Sequence, residues 1–230
     1  MKVYQIRMKV YLQKDIMAQN VQSMITRFID KSFLQEEDLS KLHEENTYKN
    51  YCYDLLSPLE SDKIYKAGNI YTLTIRTVDE KLANFFVDTC TNTYTWEIKG
   101  LSAQMRVLPR KIIEFIYTLT PIVIKEEQGY WRNIMSQESF ENRIKINLYK
   151  KWNLLTGKKG LDTYSFYNTI EFLNHKPVLM KYKNIKLLGD KIRLGIADDE
   201  LSQELAYLSL GVGLGEMNSR GAGFVNYRWL

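Results

Sequence analysis

Gly211-Val212-Gly213-Leu214-Gly215-Glu216-Met217-Asn218-Ser219-Arg220-Gly221-Ala222-Gly223-Phe224 packs five of the chain's twelve glycines into thirteen positions. The stretch follows an amphipathic helical segment carrying Leu201, Leu205 and Leu208, and it opens an apolar run that closes at Leu230. Glycine interrupts regular elements and is favoured where φ is positive or another backbone comes close. An ordinary linker is polar on both sides, whereas this stretch is clamped between two apolar elements, so it reads as an ordered loop. A loop so built is expected to turn its N–H groups outward as an anion-binding concavity, with Asn218, Ser219 and Arg220 adding donors at its tip. A phosphate-bearing ligand fits. Two nucleotide motifs do not. A dinucleotide G-x-G-x-x-G follows a strand and opens a helix, the reverse of the order here, and the Gly-Lys-Ser/Thr of a phosphate-binding P-loop is absent.

Working outward, the elements alternate. Tyr4, Ile6, Met8, Val10 and Leu12 have strand period, and Val21, Met24, Ile25, Phe28 and Ile29 have helical spacing, predicting a helix over 16–31. Residues 32–50 are strongly polar and read as an exposed loop, with a short helix at Leu39 to His43. Strands are expected at Tyr51–Leu56 and Ile70–Thr77, a helix through Leu82, Phe85, Phe86 and Cys90, and an extended segment from Glu97 to Val107. The second half repeats the order. A strand runs through Phe115, Tyr117 and Leu119 into Ile122-Val123-Ile124, and Ser136 caps a helix carrying Phe140, Ile144, Leu148, Trp152 and Leu155. Strands follow at Thr163–Ile170, His175–Tyr182 and Ile185–Ile196, with turns at Leu173-Asn174 and Gly189-Asp190. Asp198-Asp199 then caps a helix that Gly211 ends, and a last strand follows the glycine loop. Twice β-α-β-β-α-β predicts an α+β protein of two tandem ferredoxin-like sandwiches, an N-terminal unit over 1–115 and a C-terminal unit over 116–230.

The run from Gly211 to Phe224 closely resembles the glycine-rich loop of the RAMP superfamily. So do Lys186-Leu187-Leu188-Gly189-Asp190-Lys191-Ile192-Arg193-Leu194 and Gln203-Glu204-Leu205-Ala206. Within that superfamily the chain is most similar to the CRISPR-associated endoribonucleases that cut precursor CRISPR RNA inside its repeats. The likeness runs, less sharply, from Met1 to Leu230. It implies CRISPR repeat RNA as substrate, a 2′,3′-cyclic phosphate and a 5′-hydroxyl as products, and RNA-binding residues at Gly211, Gly213, Gly215, Asn218, Ser219, Arg220, Gly221 and Gly223. A non-catalytic RNA-binding subunit of a CRISPR effector complex, with other effector subunits as partners, is the alternative. A tandem-sandwich protein with protein partners is a third reading.

Composition bounds the reading without choosing it. Apolar content of 45% promises a proper core, and a net charge of +5 is compatible with a polyanionic partner. Sixteen tyrosines supply flat surface suited both to sheet cores and to base stacking. Cys52 and Cys90 stand alone, so neither a disulfide framework nor a zinc cluster is indicated. No signal segment or membrane span is apparent, and a soluble cytoplasmic protein, monomer or homodimer, is expected.

With only His43 and His175, a multi-histidine metal centre is excluded, and no acidic motif convincingly holds magnesium. Neither metal nor cofactor is expected. RNA can be cut without one, because its 2′-hydroxyl attacks the adjacent phosphorus once a base takes the proton, an acid protonates the departing 5′-oxygen and a cation steadies the phosphoryl oxygens. A histidine in general exchanges protons near neutrality, which suits His43 to this task, and a lysine, here Lys49 six positions later, suits charge stabilisation. By themselves a histidine and a lysine in a Glu-rich loop are ordinary surface residues. The resemblance implies more: relatives place a catalytic histidine after the first helix and a lysine about six residues on, which His43 and Lys49 match. Some relatives also use a tyrosine in the first helix, where this chain has Phe28, so Tyr48 is the substitute. Arg143, Lys145, Lys150, Lys151, Lys158 and Lys159 with Lys176, Lys181, Lys183 and Lys186 read as a phosphate track toward the glycine loop. Lys158 and Lys159 are the track residues taken as RNA-binding.

Overall fold

In the computed structural model, which describes residues 1–36, 48–127, 129–158, 164–182 and 185–230, the alternation at the N-terminus becomes strand β1 (Tyr4–Leu12). It buries Ile6, Met8, Val10 and Leu12 and turns Arg7, Lys9 and Tyr11 outward. The first unit continues with β2 (Ile16–Met17), α1 (Ala18–Phe33), β3 (Tyr51–Tyr53), β4 (Ile64–Tyr65), β5 (Ile70–Thr77), α2 (Glu80–Asp88) and β6 (Ile98–Val107). Its antiparallel sheet has the order β3-β5-β1-β6, and β2 pairs with β4 outside it. The apolar stripe of α1, Val21, Ile25, Phe28 and Ile29, is buried with the inward side chains of that sheet. Asp79 starts α2 by accepting the amides of Lys81 and Leu82 at 2.8 and 3.2 Å.

The second unit contains β7 (Ile113–Thr118), α3 (Gln137–Thr156), β8 (Tyr167–Phe172), β9 (Val178–Tyr182), β10 (Ile185–Gly189), β11 (Ile192–Ile196), α4 (Glu200–Val212) and β12 (Val225–Trp229). Its sheet order is β12-β7-β11-β8, with β9 and β10 forming a separate hairpin. Leaving aside the short extra pairs, each sheet reads last, first, third, second strand of its own unit. The ferredoxin-like fold therefore occurs twice. Ser136 and Asp199 cap α3 and α4 as their sequences predict.

Several boundaries move. The first helix runs over 18–33 instead of 16–31, and the strand from Tyr51 stops at Tyr53. Ile122 and Val123 form only isolated bridges, to Asp190 and Glu216. The turn expected at Gly189-Asp190 does divide the 185–196 segment, into β10 and β11, and the buried Asp190 carboxylate accepts from Tyr130, Trp131 and Asn174 at 2.6, 2.6 and 2.7 Å. Gly211 does not end the last helix. It lies in its final turn, and Gly213 is the cap.

The units share buried contacts. Tyr207 on α4 accepts the Val3 amide at 3.2 Å and donates to the Leu108 carbonyl at 2.6 Å. The buried Arg76 of β5 donates to Gln5 at 2.9 Å and to the Val225 carbonyl of β12 at 2.6 Å, and lies 4.6 Å from the Phe224 ring centre. Among the described residues no helix is long and apolar enough to cross a membrane.

Candidate active site

The glycine loop is an over-determined structure rather than an open concavity. Gly213 (φ +72°) and Gly223 (φ +61°) take left-handed conformations, and a Cβ at Gly223 would sit 1.9 Å from the Leu214 carbonyl oxygen. The expected outward-facing amides are mostly consumed inside. Leu214 N donates to Gly223 O, Glu216 N to Val123 O, Ala222 N to Met217 O and Gly223 N to Pro121 O, at 2.8–3.2 Å. Asn218, expected as a donor at the tip, is buried, and its Nδ2 braces the loop by donating to the carbonyls of Leu214 and Ala222 at 2.9 and 3.0 Å. Gly213, Gly215, Gly221 and Gly223 are buried as well, so Glu216, Met217, Ser219 and Arg220 form its accessible edge.

Lys151 holds the loop from beneath. It projects from α3, is 4% exposed, and aims its Nζ at the carbonyls of Val212 (3.4 Å), Gly213 (3.3 Å) and Gly215 (3.1 Å) and at Asn218 Oδ1 (2.6 Å). Burial pushes this ammonium down to about 7, and the Glu216 carboxylate acts in the opposite direction. Sequence reading put Lys151 on a solvated phosphate track. The overlooked signal is its place three residues after Leu148 and beside Trp152, inside the buried stripe of α3.

Arg220 ties the loop to the first unit. Its guanidinium meets both carboxylate oxygens of Asp30 on α1 at 2.6 and 2.7 Å, and its carbonyl accepts from Gln22 Nε2 at 2.5 Å. The neighbouring Tyr53 ring is buried, with its hydroxyl 2.6 Å from Thr26 Oγ1.

Opposite the loop's accessible edge stand Tyr48 and Lys49, anchored where the chain enters β3. The Lys49 carbonyl accepts the Tyr51 amide at 2.5 Å, and the Asn50 carbonyl accepts from Thr77 Oγ1 at 2.6 Å. Between the two walls lies a cleft of about 570 Å³, lined by Tyr48, Lys49, Asn147, Lys151, Leu154 and loop residues Gly215 to Ser219. The Tyr48 hydroxyl is held above its usual range, first by partial burial and then by the charge of Glu216, with Arg143 acting against both. Glu216 also accepts from Arg143 at 3.1 Å and from the Lys125 amide at 3.0 Å, and Arg143 bonds Glu126 at 2.7 Å.

The structure thus brings Tyr48, Lys49, Gly215, Asn218 and Ser219 together. His43 and Lys159 lie outside the described residues. Gly211 is inside α4, against Val78 and Val3, and Lys158 does not line the cleft, its ammonium lying 5.5 Å from the Trp152 ring centre. Arg143 is engaged by two carboxylates, and His175 is exposed in the connection between β8 and β9.

With this geometry, the family profile described as "CRISPR associated protein Cas6, C-terminal" matches residues 108–227, more than half of the chain. The chain belongs to the Cas6 family. Its resemblance to the CRISPR-associated RAMP endoribonucleases is therefore correct, and Cas6 membership makes it a CRISPR RNA-processing endoribonuclease in general terms. Solved structures agree in fold across both units. One described as CRISPR associated protein Cas6 is 20% identical with a TM-score of 0.71, covering 98% of this chain and 99% of that one. A RAMP protein described as binding different RNA substrates is 18% identical with a TM-score of 0.74, covering 98% and 99%. A Cas6-related protein of Pyrococcus furiosus is 18% identical with a TM-score of 0.68, covering 98% of each. No curated protein matches the chain in sequence.

Proposed function

We propose that this Cas6 protein binds a repeat of precursor CRISPR RNA in the cleft between Tyr48–Lys49 and the glycine loop and cuts it without a metal. The 2′-hydroxyl beside the scissile phosphate loses its proton and attacks phosphorus. The 5′-oxygen leaves with a proton, giving a 2′,3′-cyclic phosphate and a 5′-hydroxyl. His43 acts as general acid or base, Lys49 steadies charge on the phosphoryl oxygens, and Tyr48 is positioned to share in proton transfer. The first unit supplies these groups, and the second unit, which begins before β7, supplies the wall that grips the strand.

The observation that carries the reading is the cleft itself. Tyr48 and Lys49, five and six positions after His43, share one cavity with the backbone and side chains of Gly215 to Ser219. The glycines serve the grip by holding the loop in one shape, and the half-buried Ser219 lines the cleft at its edge.

The test is cleavage of labelled CRISPR repeat RNA in excess chelator. The wild type should cut, and a 2′-deoxy substitution at the nucleotide before the cut should stop it. His43→Ala should slow cleavage by about 10²–10⁴-fold with repeat affinity retained. A deoxy substrate cut at full rate rejects the 2′-hydroxyl mechanism. Tight repeat binding with no cleavage by the wild type favours the non-catalytic effector subunit.

A further inference from the structure

The connection from α2 to β6 carries two exposed aromatic rings, Tyr94 (61% exposed) and Trp96 (73% exposed). Exposed rings on a loose loop would mean little, but this turn is braced. Thr95 N donates to Ile98 O at 2.7 Å, and Thr95 Oγ1 accepts the Ile98 amide at 3.0 Å. Gln13 holds it from the end of β1, with its amide on Glu97 O at 2.8 Å and its Nε2 on Thr95 O at 2.6 Å. The rings are therefore presented to solvent by a fixed backbone.

Each ring carries a lysine. Lys14 Nζ lies 4.1 Å from the Trp96 ring centre, and Lys31 Nζ lies 4.4 Å from that of Tyr94. The two acids that line the adjoining hollow are matched, Glu97 by Arg27 at 2.9 Å and Asp30 by Arg220 at 2.6 Å. Neither lysine has an ion-pair partner among the described residues. Between α1 and this turn lies a hollow of about 580 Å³, lined by Arg27, Asp30, Lys31, Leu34 and Thr95 to Glu97.

Lysine is depleted in the cores of protein–protein interfaces, whereas flat rings interleaved with ammonium groups suit unpaired bases and their phosphates. The patch also adjoins the cleft. Asp30 lines the hollow while holding Arg220, which is bonded in sequence to Ser219 on the cleft wall. The Arg220–Asp30 pair thus links the loop that walls the cleft to the hollow that Lys31 and Trp96 line.

From this arrangement we infer that the Tyr94–Trp96 turn, with the end of α1, is a second RNA subsite. Unpaired nucleotides flanking the cut repeat stack there on the two rings, with Lys14 and Lys31 against their phosphates. The inference rests on the RNA-cleaving reading and adds a place for RNA outside the cleft.

The test compares two RNAs in chelator at moderate salt: the repeat alone and the repeat extended on both sides by unpaired nucleotides. The wild type should bind the extended RNA about tenfold or more tighter, as expected for one or two stacked bases. Tyr94→Ala/Trp96→Ala should bind both RNAs with the wild-type affinity for the repeat alone and cut that repeat normally. Tyr94→Phe/Trp96→Phe should keep most of the preference. Extended RNA should quench tryptophan fluorescence in the wild type and much less in Trp96→Phe, because Trp131 and Trp152 are buried and Trp229 is half-buried on β12 of the other unit. Normal cleavage with no preference for extended RNA overturns the subsite alone. A preference that survives removal of both rings does the same and leaves the turn to a protein partner. A wild type that binds neither RNA overturns the RNA-cleaving reading and the subsite with it.

Discussion

The same connection, from second helix to last strand, is built in opposite ways in the two units. In the second unit, residues 213–224 form a buried loop whose shape is fixed by left-handed glycines, by its own amides and by the Lys151 ammonium. In the first unit, residues 89–97 make a short turn pinned by Thr95 and Gln13 that holds its aromatic side chains out to solvent. One fold thus uses one position to make a wall and, at the other, a platform. Substitutions should cost stability in the former and little in the latter.

The largest effect is expected at Gly223. An added Cβ meets the Leu214 carbonyl oxygen at 1.9 Å in a backbone conformation that L residues rarely adopt. Gly223→Ala should therefore cost about 3 kcal/mol or more and lower Tm by roughly 6–12 °C in thermal unfolding. A Tm within 2 °C of wild type would mean that the loop yields easily, which removes the contrast.

Lys151→Met should cut repeat cleavage by about tenfold or more, because the Val212, Gly213 and Gly215 carbonyls lose their common donor. It also has a pH signature. The buried ammonium titrates at about 7, below the ordinary lysine value near 10.4, so between those values the unfolded chain binds more protons. Wild-type stability should accordingly rise with pH across that window relative to Lys151→Met. Denaturant titrations at pH 7 and pH 9.5 give the difference, and parallel slopes would remove Lys151 from the account.

Asp30 and Arg220 join the wall to α1, and the pair is partly exposed. A double-mutant cycle of Asp30→Ala and Arg220→Ala should give a coupling of about 1 kcal/mol. The smallest effect belongs to the platform: Trp96→Ala should change stability by no more than about 0.5 kcal/mol.

Much of this frame is legible in the sequence because period reports burial directly. The alternation at Tyr4–Leu12, the stripe Val21-Ile25-Phe28-Ile29 and the caps Ser136 and Asp199 fall where the structure has them. The glycine density correctly announces an ordered loop. Its inner wiring is not legible, since nothing local says that Asn218 points inward, that Arg220 is matched by a carboxylate 190 positions away, or that a lysine on α3 lies beneath the loop. Such partners are set by how two units dock. The turn at Gly189-Asp190 is legible, but the partners that hold Asp190 in it, Tyr130, Trp131 and Asn174, come from other connections and are not.

The central claim is that repeat RNA lies in the cleft between Tyr48–Lys49 and the loop. Leu154 lines that cleft and is 71% exposed, while Leu59 is exposed and lies outside it, so both accept a charge without loss of fold. Single-turnover cleavage of repeat RNA by Leu154→Glu and Leu59→Glu tests the claim most directly. A loss of about tenfold or more for Leu154→Glu, with Leu59→Glu at the wild-type rate, is the predicted result; equal, undiminished rates for both would contradict it.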